Sequence, residues 1–458
     1  MDVRTTTAKV APSIERFGSD IQASDAGAYG KRGRRGNSPG RLAVGMILAL
    51  ALACYVPDPK RPPEDTDTGE PAETGETAET GETAETGSET GSETGETDDC
   101  PTVYADADGD GFGDPTKPQD GCLDTGVTVS DNTDCDDADA EVHPGAVERC
   151  NERDDDCDGD GADSGIVTYT DEAGAWSDVS AAFVGVVELE AGTYDVCPGT
   201  YTVWASSTAD VVVQGHGGPI FDGASAATVF TVTGGSLDLE DLVVQNGLAD
   251  FVSSYDLTGG GAVACSGALL TIGGVTLATN TAEVGGAVLV DHCDAVIADS
   301  LLSGNFASSG AAISVAGGSL ALERTEVAFN TAIDYGGGID LEGVDADATL
   351  DMVDSSVHTN SAMYGGGVSA LYSAMVACTG SSSLTAGIWA NAADVGGGLV
   401  LFGAEAGAPT FEATACDFGL TDIDEANSPD DIALMDEGAT YAGLGDDVDI
   451  SCTHVSCT

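Results

Sequence analysis

The sequence predicts an all-β chain whose larger part is a right-handed parallel β-helix, preceded by a small disulfide-bearing acidic module and a disordered stalk. Three observations support this: a phrase that recurs through the second half of the chain, strand-like alternation ahead of each copy, and abrupt shifts of composition near residues 54, 99 and 165. The expected segments are 1–54 as a secretion leader, 55–99 as the stalk, 100–165 as the acidic module and 166–458 as the β-helix.

The repeated phrase is an apolar residue, two variable positions, Asn, a variable residue and Ala, followed after a short gap by glycines. It occurs as Leu277-x-x-Asn280-x-Ala282 before Gly285 and Gly286, and as Leu302-x-x-Asn305-x-Ala307 before Gly310. Later copies are Val327-x-x-Asn330-x-Ala332 before Gly336, Val357-x-x-Asn360-x-Ala362 before Gly365, and Ile388-x-x-Asn391-x-Ala393 before Gly396. A fixed period of this kind marks a stacked architecture in which each repeat buries its apolar face against its neighbours. The intervals of 25, 25, 30 and 31 residues exceed a leucine-rich repeat, and no helical apolar spacing accompanies them. Alternation precedes the Asn instead, in Leu320-x-Leu322 and Leu350-x-Met352. One repeat is then one coil of short strands, stacked at roughly 4.8 Å per rung. The small Ala fits an inward corner, and the Asn is expected to take a left-handed conformation and to ladder its amide with the next rung. The Gly cluster permits a positive-φ bend before the strands that begin at Val288, Ile339, Val368 and Leu399.

This combination of Asn and Gly motifs, from about Gly247 to Phe402, resembles the repeats of polymorphic outer-membrane proteins and of other bacterial β-helix surface proteins. Upstream, Val187 to Tyr194 followed by Cys197-Pro198-Gly199-Thr200-Tyr201 resembles the opening coil of pectate-lyase-like β-helices, so Ile166 to Asn246 is expected to form the first rungs. Those resemblances imply the fold and a surface setting.

The leader carries Lys31, Arg32, Arg34, Arg35 and Arg41 before the apolar run Leu42 to Ala53. About 12 apolar residues are too few to span a bilayer core of some 30 Å, so the run reads as a secretion signal. Ala51-Leu52-Ala53-Cys54 resembles a lipobox, which implies cleavage before Cys54 and lipidation of that cysteine; Leu52 departs from the small residue usual there, which leaves ordinary cleavage open. Of the 14 basic residues 8 precede Cys54, and of the 79 acidic residues 4 do, so the exported chain holds 6 against 75. Such a surface repels nucleic acid, which is excluded as a partner, and attracts cations. Pro57 to Asp99, rich in Thr, Glu and Gly, has nothing to bury and repels itself, and it reads as a stalk of roughly 100 Å contour.

The 13 Cys point to an oxidising compartment. Setting Cys54 aside, five lie from Cys100 to Cys157 and seven from Cys197 to Cys457, so at least one bridge is expected to cross between the regions unless each keeps a free thiol; Cys452 and Cys457 are candidates to staple the C-terminal end. Connectivity stays open.

Chemistry concentrates in the acidic module. Asp106-x-Asp108-x-Asp110-Gly111-Phe112-x-Asp114 places carboxylates at alternate positions, a glycine at the turn and a backbone carbonyl at Phe112, the pattern that surrounds Ca²⁺ with hard oxygens. Position 12 is Lys117 where an EF-hand has its bidentate Glu, so the loop is more similar to the thrombospondin type 3 or dockerin class, which neighbouring segments complete. Asp154, Asp156, Asp158 and Asp160 form a second candidate loop, with Asp131, Asp134 and Asp136 between the two. From about Asp99 to Gly165 the chain resembles the repeat family named for the copper-binding surface protein MopE. That resemblance implies copper, with His143 as nitrogen donor. The donor chemistry points to Ca²⁺ instead, because Cu²⁺ prefers imidazole or thiolate and one His stands here among more than a dozen carboxylates.

Many β-helices cleave polysaccharides. A uronate lyase needs a base or cation at the substrate carboxylate, and from Gly165 onward Arg324 is the one Lys or Arg. Its column, six residues before each Asn, reads Gly274, Asp299, Arg324, Asp354, Thr385, so an ion-pair ladder with Asp299 and Asp354 accounts for it. A glycoside hydrolase needs paired carboxylates; Asp299 with Asp354, or Asp334 with Asp340, are the candidates, and nothing singles them out. His216, His292, His358 and His454 are scattered, and no catalytic triad, HExxH or phosphate loop occurs. No catalytic residue is assigned. The function expected is that of a lipid-anchored protein on the bacterial outer surface, presenting a Ca²⁺-stabilised β-helix as a structural or adhesive scaffold toward an extracellular glycan or protein. The alternative is a polysaccharide-degrading lyase or hydrolase.

Overall fold

The computed structural model describes residues 100–121, 126–151, 153–159, 161, 164–249, 259–344, 346–381, 386–403, 407–418, 426–435, 439–444 and 450–452. The expected leader, the stalk, Cys54, Asp160, Thr385, His454 and Cys457 lie outside those residues. The described chain is all-β: no helix occurs in it, and its strands fall into one group of 21, one of 8 and two small sheets.

Parallel pairing across the repeat interval builds the large sheets. Ile313, Ile339, Val368, Leu399 and Ile432 pair in sequence, each one repeat beyond the last. A second ladder runs through Leu270, Ala295, Leu320, Leu350, Val376 and Phe411. A third joins Val244, Leu277, Leu302, Val327, Val357 and Ile388. Every residue in these three rows is buried. Side chains alternate across a strand, so each inward residue stacks on its counterpart and a slip of one would turn the whole row to solvent. Val288–Ala298 and Ile313–Glu323 are long enough to serve the first two ladders at once.

The Asn column holds this register. Asn280, Asn305, Asn330, Asn360 and Asn391 are at most 1 % exposed. The backbone N–H and the side-chain Nδ2 of each both donate to the Oδ1 of the next, as from Asn305 to Asn330 at 2.9 and 3.0 Å, and Nδ2 also donates to a carbonyl on the preceding rung, Leu277 O for Asn305. The column extends to Asn427, which the repeat pattern did not pick out and which accepts from Asn391.

The expected left-handed Asn is corrected: the positive φ belongs to the residue before it, namely Thr279, Gly304, Phe329, Thr359 and Ala390. The amide must point inward to reach two rungs, so the turn is made one position earlier. The glycine expectation holds at the first Gly of each cluster, with φ between 57° and 64° at Gly285, Gly310, Gly336, Gly365 and Gly396. Ala282, Ala307 and Ala332 are buried, whereas Ala362 and Ala393 are only half-buried.

The Arg324 ladder is half of what the column suggested. Nε and Nη2 of Arg324 each donate to Asp299 at 2.7 Å, and Nη1 reaches Glu323 at 3.4 Å. Asp354 instead accepts from the backbone of Ser381. Arg324 sits at φ 49°, a corner that aims its side chain to one neighbour rather than both.

At the other end, Val167–Asp171 and Trp176–Asp178 form an antiparallel hairpin that pairs with Gly192–Val196. This covers the edge on which the second ladder would otherwise end. Phe183, Tyr194, Tyr201, Phe221 and Phe230 pack beneath it with ring centroids 5.1 to 6.2 Å apart. Cys150–Cys197 crosses from the acidic module to this first rung, and Cys265–Cys293 and Cys378–Cys416 link segments of the ladders.

Two outcomes test these arguments. Asn330→Ala removes three donated and two accepted hydrogen bonds from a dry column, and it is expected to lower stability by about 3 kcal/mol or more, against under ~0.5 kcal/mol for the exposed neighbour Thr331→Ala, read from denaturant midpoints. Asp340 is buried beside Ser369, whose hydroxyl donates to it, and burial pushes its carboxyl up to about 7. Between pH 4 and 7 the folded chain keeps a proton that the unfolded chain has lost. Wild type is therefore expected to lose stability relative to Asp340→Asn at roughly 1.4 kcal/mol per pH unit across that window, with the difference constant above it. A pH-independent difference would refute the assignment.

Candidate metal centre

The module before the ladders folds through its own carboxylates. Asp106 Oδ1 accepts from Gly109 N at 2.7 Å, Asp108 Oδ1 from Asp110 N at 3.3 Å, and Asp110 Oδ1 from Phe112 N at 2.8 Å. Short acidic side chains that bond the backbone two or three residues on curl the loop and leave their second oxygens pointing together. Gly113 lets residues 131–134 close over the loop, since a Cβ there would lie 2.7 Å from Asp131 O. Asp134, whose N–H donates to Gly113 O, thereby joins the loop acids.

Two overlapping carboxylate triples result, Asp106 with Asp108 and Asp137, and Asp108 with Asp110 and Asp134; within each, one oxygen per residue lies within 4.8 Å of the others. Asp106, Asp134 and Asp137 are 5, 2 and 7 % exposed. The Oδ2 atoms of Asp108, Asp110 and Asp134 are buried without a hydrogen-bond partner. Burial first, and then neighbouring carboxylates, push the carboxyls of Asp108 and Asp134 up.

A second cluster repeats the design. Asp154 accepts from Asp158 N and Gly159 N, both at 3.0 Å, and Asp156 from Asp158 N at 3.2 Å. Glu148, 1 % exposed, accepts from Asp155 N and Asp156 N through Oε1, while its Oε2 is buried with no partner. Glu148, Asp154 and Asp156 form the third triple. Burial, ahead of repulsion from Asp155 and Asp156, pushes the Glu148 carboxyl up. Cys135–Cys157 ties the two loop regions together.

Buried anionic oxygens facing one another without donors are costly unless a cation joins them. An all-oxygen set of this kind suits a hard cation. The residues present therefore fit a metal ion.

Among the predicted ligands, Asp106, Asp108, Asp110, Asp134, Asp154 and Asp156 fall in the clusters, and others are used elsewhere. Asp114 binds Lys117 at 2.7 Å and the Thr116 hydroxyl at 2.6 Å, which hold its carboxyl down at about 2. Asp131 caps Thr133, and Asp136 pairs with Arg153 at 3.0 Å. Asp158 supports its loop through its N–H and belongs to none of the triples. Phe112 presents its ring to His143, stacked at 5.0 Å, so the expected copper donor is absent from every described cluster. Its Nδ1 donates instead to Pro144 O at 3.3 Å. Sequence reasoning took Asp137 only as part of the acidic run from Asp131 to Asp139, choosing Asp136 beside it, and missed Glu148. Asp137 adjoins Asp136 in a run of acids and only the fold picks between them; Glu148 stands apart from any Asp pattern and has no local signal.

The model of the MopE copper-binding family, described as a metal-binding motif, matches residues 134–163. No curated protein and no solved structure matches the chain. The match spans the second cluster and Asp134 and Asp137 of the first, so a metal-binding motif stands where the carboxylates converge.

If the triples hold cations, Asp134→Asn and Glu148→Gln are each expected to weaken binding at one cluster by about tenfold or more while sparing the other, and Asp114→Asn should leave both within about twofold. Calorimetric titration on the three variants checks this; equal losses in all three would point to bulk charge rather than sites.

Proposed function

We propose that this chain is a cell-surface lipoprotein that presents a Ca²⁺-stabilised, right-handed β-helix as a structural or adhesive scaffold. The observation that carries it is the joining of two features. A cation-ready module is bridged by Cys150–Cys197 to the first rung of a stack whose register is fixed by buried Asn. A module with few buried apolar residues, held by bridges and ions at one end of a long stack, suits rigid display. Three in-register parallel ladders at the repeat interval support closure into a β-helix. Calcium over copper rests on the all-carboxylate clusters and on the engagement of His143 with Phe112 and Pro144. Export rests on the bridged cysteines, and anchoring on the lipobox resemblance at Cys54. The lyase alternative draws no support from Arg324, whose Nε and Nη2 donors are taken by Asp299.

The test has two arms. Cys54→Ser is expected to move the protein from the membrane fraction to the soluble one; unchanged fractionation removes the anchor from the proposal. In the wild type, Ca²⁺ should raise the unfolding temperature and Cu²⁺ should not. A larger rise with Cu²⁺, lost in His143→Ala, would restore the copper reading.

A further inference from the structure

The two carboxylate triples of the first loop share Asp108, yet they are not alike. In the one formed with Asp110 and Asp134, all three Oδ2 atoms are buried without a hydrogen-bond partner, and Asp134 is 2 % exposed. In the one formed with Asp106 and Asp137, the oxygens are already served. Asp137 Oδ1 accepts from Ala107 N at 2.6 Å, and its Oδ2 accepts from Lys117 Nζ at 3.2 Å. Asp106 Oδ1 accepts from Gly109 N. On Asp106 and Asp137 no buried oxygen stands without a donor among the described residues.

The backbone puts Lys117 in place for this. Its N–H donates to Asp114 O at 3.0 Å, and its carbonyl accepts from Ala105 N at 3.3 Å, so it lies beside the residue that precedes Asp106. Asp114 Oδ2 then holds the ammonium at 2.7 Å, and the ammonium reaches on to Asp137, whose side chain is only 3 % exposed. The Lys117 side chain itself is 59 % exposed, so charge is delivered to a buried carboxylate without burial of the stem. The position at which an EF-hand supplies its last ligand here supplies a positive charge.

Two divalent ions that share a carboxylate lie about 3.5–4 Å apart. At a given distance a divalent ion repels an ammonium half as strongly as it repels a second divalent ion. A loop that already carries Lys117 at one triple therefore accommodates a divalent ion at the other at less cost than it would two.

We propose that the first loop takes one divalent cation, on Asp108, Asp110 and Asp134, and that Lys117 closes the triple of Asp106, Asp108 and Asp137 as a tethered cation. This rests on the reading of the clusters as cation sites and deepens it: Lys117 sets how many ions the module holds. A tethered ammonium does not leave on dilution or chelation, so this half of the loop stays neutralised when the divalent ion departs.

Calorimetric titration of the full exported protein with Ca²⁺, after treatment with a chelator, tests the proposal. Lys117→Met is expected to bind one Ca²⁺ more than wild type, and Lys117→Arg the wild-type number. Adding Asp137→Asn to Lys117→Met should abolish the extra site. In the wild-type background, where Lys117 is kept, Asp110→Asn should remove one site and Asp106→Asn none, which tests the assignment even if the Lys117 variants fail to fold. An unchanged Ca²⁺ number in folded Lys117→Met, or a site lost in folded Asp106→Asn, would overturn this proposal and leave the Ca²⁺ reading standing. A wild type that takes up no Ca²⁺ would overturn both.

Discussion

The buried amide column is the interaction on which the rest of the described structure depends. An Asn placed in a dry interior must satisfy two N–H donors and one oxygen, and each Asn does so only by reaching both the rung before and the rung after. A rung shifted by one residue would leave those groups bare, at a cost of a few kcal/mol per rung. Hydrophobic rows alone tolerate a shift of two, because alternation repeats with that period; the amide column does not. Apolar burial therefore drives the stacking, and the Asn column chooses which stacking.

That column also explains why repeats of 25 residues follow others of 30 and 31 without loss of register. The extra residues fall between fixed points. Between Asn330 and Asn360 four of the five lie between the strands Ile339–Gly343 and Ala348–Val353, since Ile313 pairs with Ile339 but Gly318 with Ala348, and the fifth lies between Asn330 and Ile339. In the preceding rung the same bend is absorbed within the single strand Ile313–Glu323, through Gly317 and Gly318 at φ 78° and 92°. The step from the third ladder to the Asn keeps its length in every copy, and the variation falls in the bends between ladders, between Met375–Thr379 and Gly387–Trp389 for most of the 31-residue interval, with one residue added between Ala332 and Gly336 in the 30-residue one.

How much of this was legible in the sequence follows from how each signal arises. The strands, the glycine bends and the Asn ladder were legible, because each repeats and a periodic pattern needs no partner to be recognised. Asn427 was not, since Ser428-Pro429 replaces the expected alanine phrase around it. The left-handed residue was misplaced by one, because Thr279, Phe329 and Ala390 share no residue type and the conformation is imposed by the amide beside them. In the acidic module the loop acids were legible from their alternate spacing. Asp137 and Glu148 were not, because they reach the clusters through tertiary approach, set by Gly113 for the first and by the Cys135–Cys157 bridge for the region of the second. Asp114 and Asp158 fit the spacing and still fall outside, drawn off by Lys117 or left at the surface.

The module has a further constraint. Among the described residues its buried set consists chiefly of carboxylates: Asp106, Asp134, Asp137, Glu148 and Asp155 are all 7 % exposed or less, while Val142 and Cys150 are the buried apolar side chains described between residues 100 and 165. A domain of this size normally earns its stability from an apolar interior, and here the interior is charged with one sign. Lys117, Arg149 and Arg153 offset part of that charge, Lys117 by pairing with the buried Asp137 and the two arginines with Glu141 and Asp139 at the rim. The inward oxygens of Asp108, Asp110, Asp134 and Glu148 remain without donors. Disulfides limit how far the unfolded chain can spread, but they do nothing to relieve repulsion in the folded one. Only groups that bring positive charge inside can do so, which means protons at low pH or cations above it. Protonation would free the loop acids from accepting backbone N–H groups as strongly and loosen the turns they define. Cations would keep both functions, and were they to fill the clusters, folding of the module and their binding would form a single linked equilibrium.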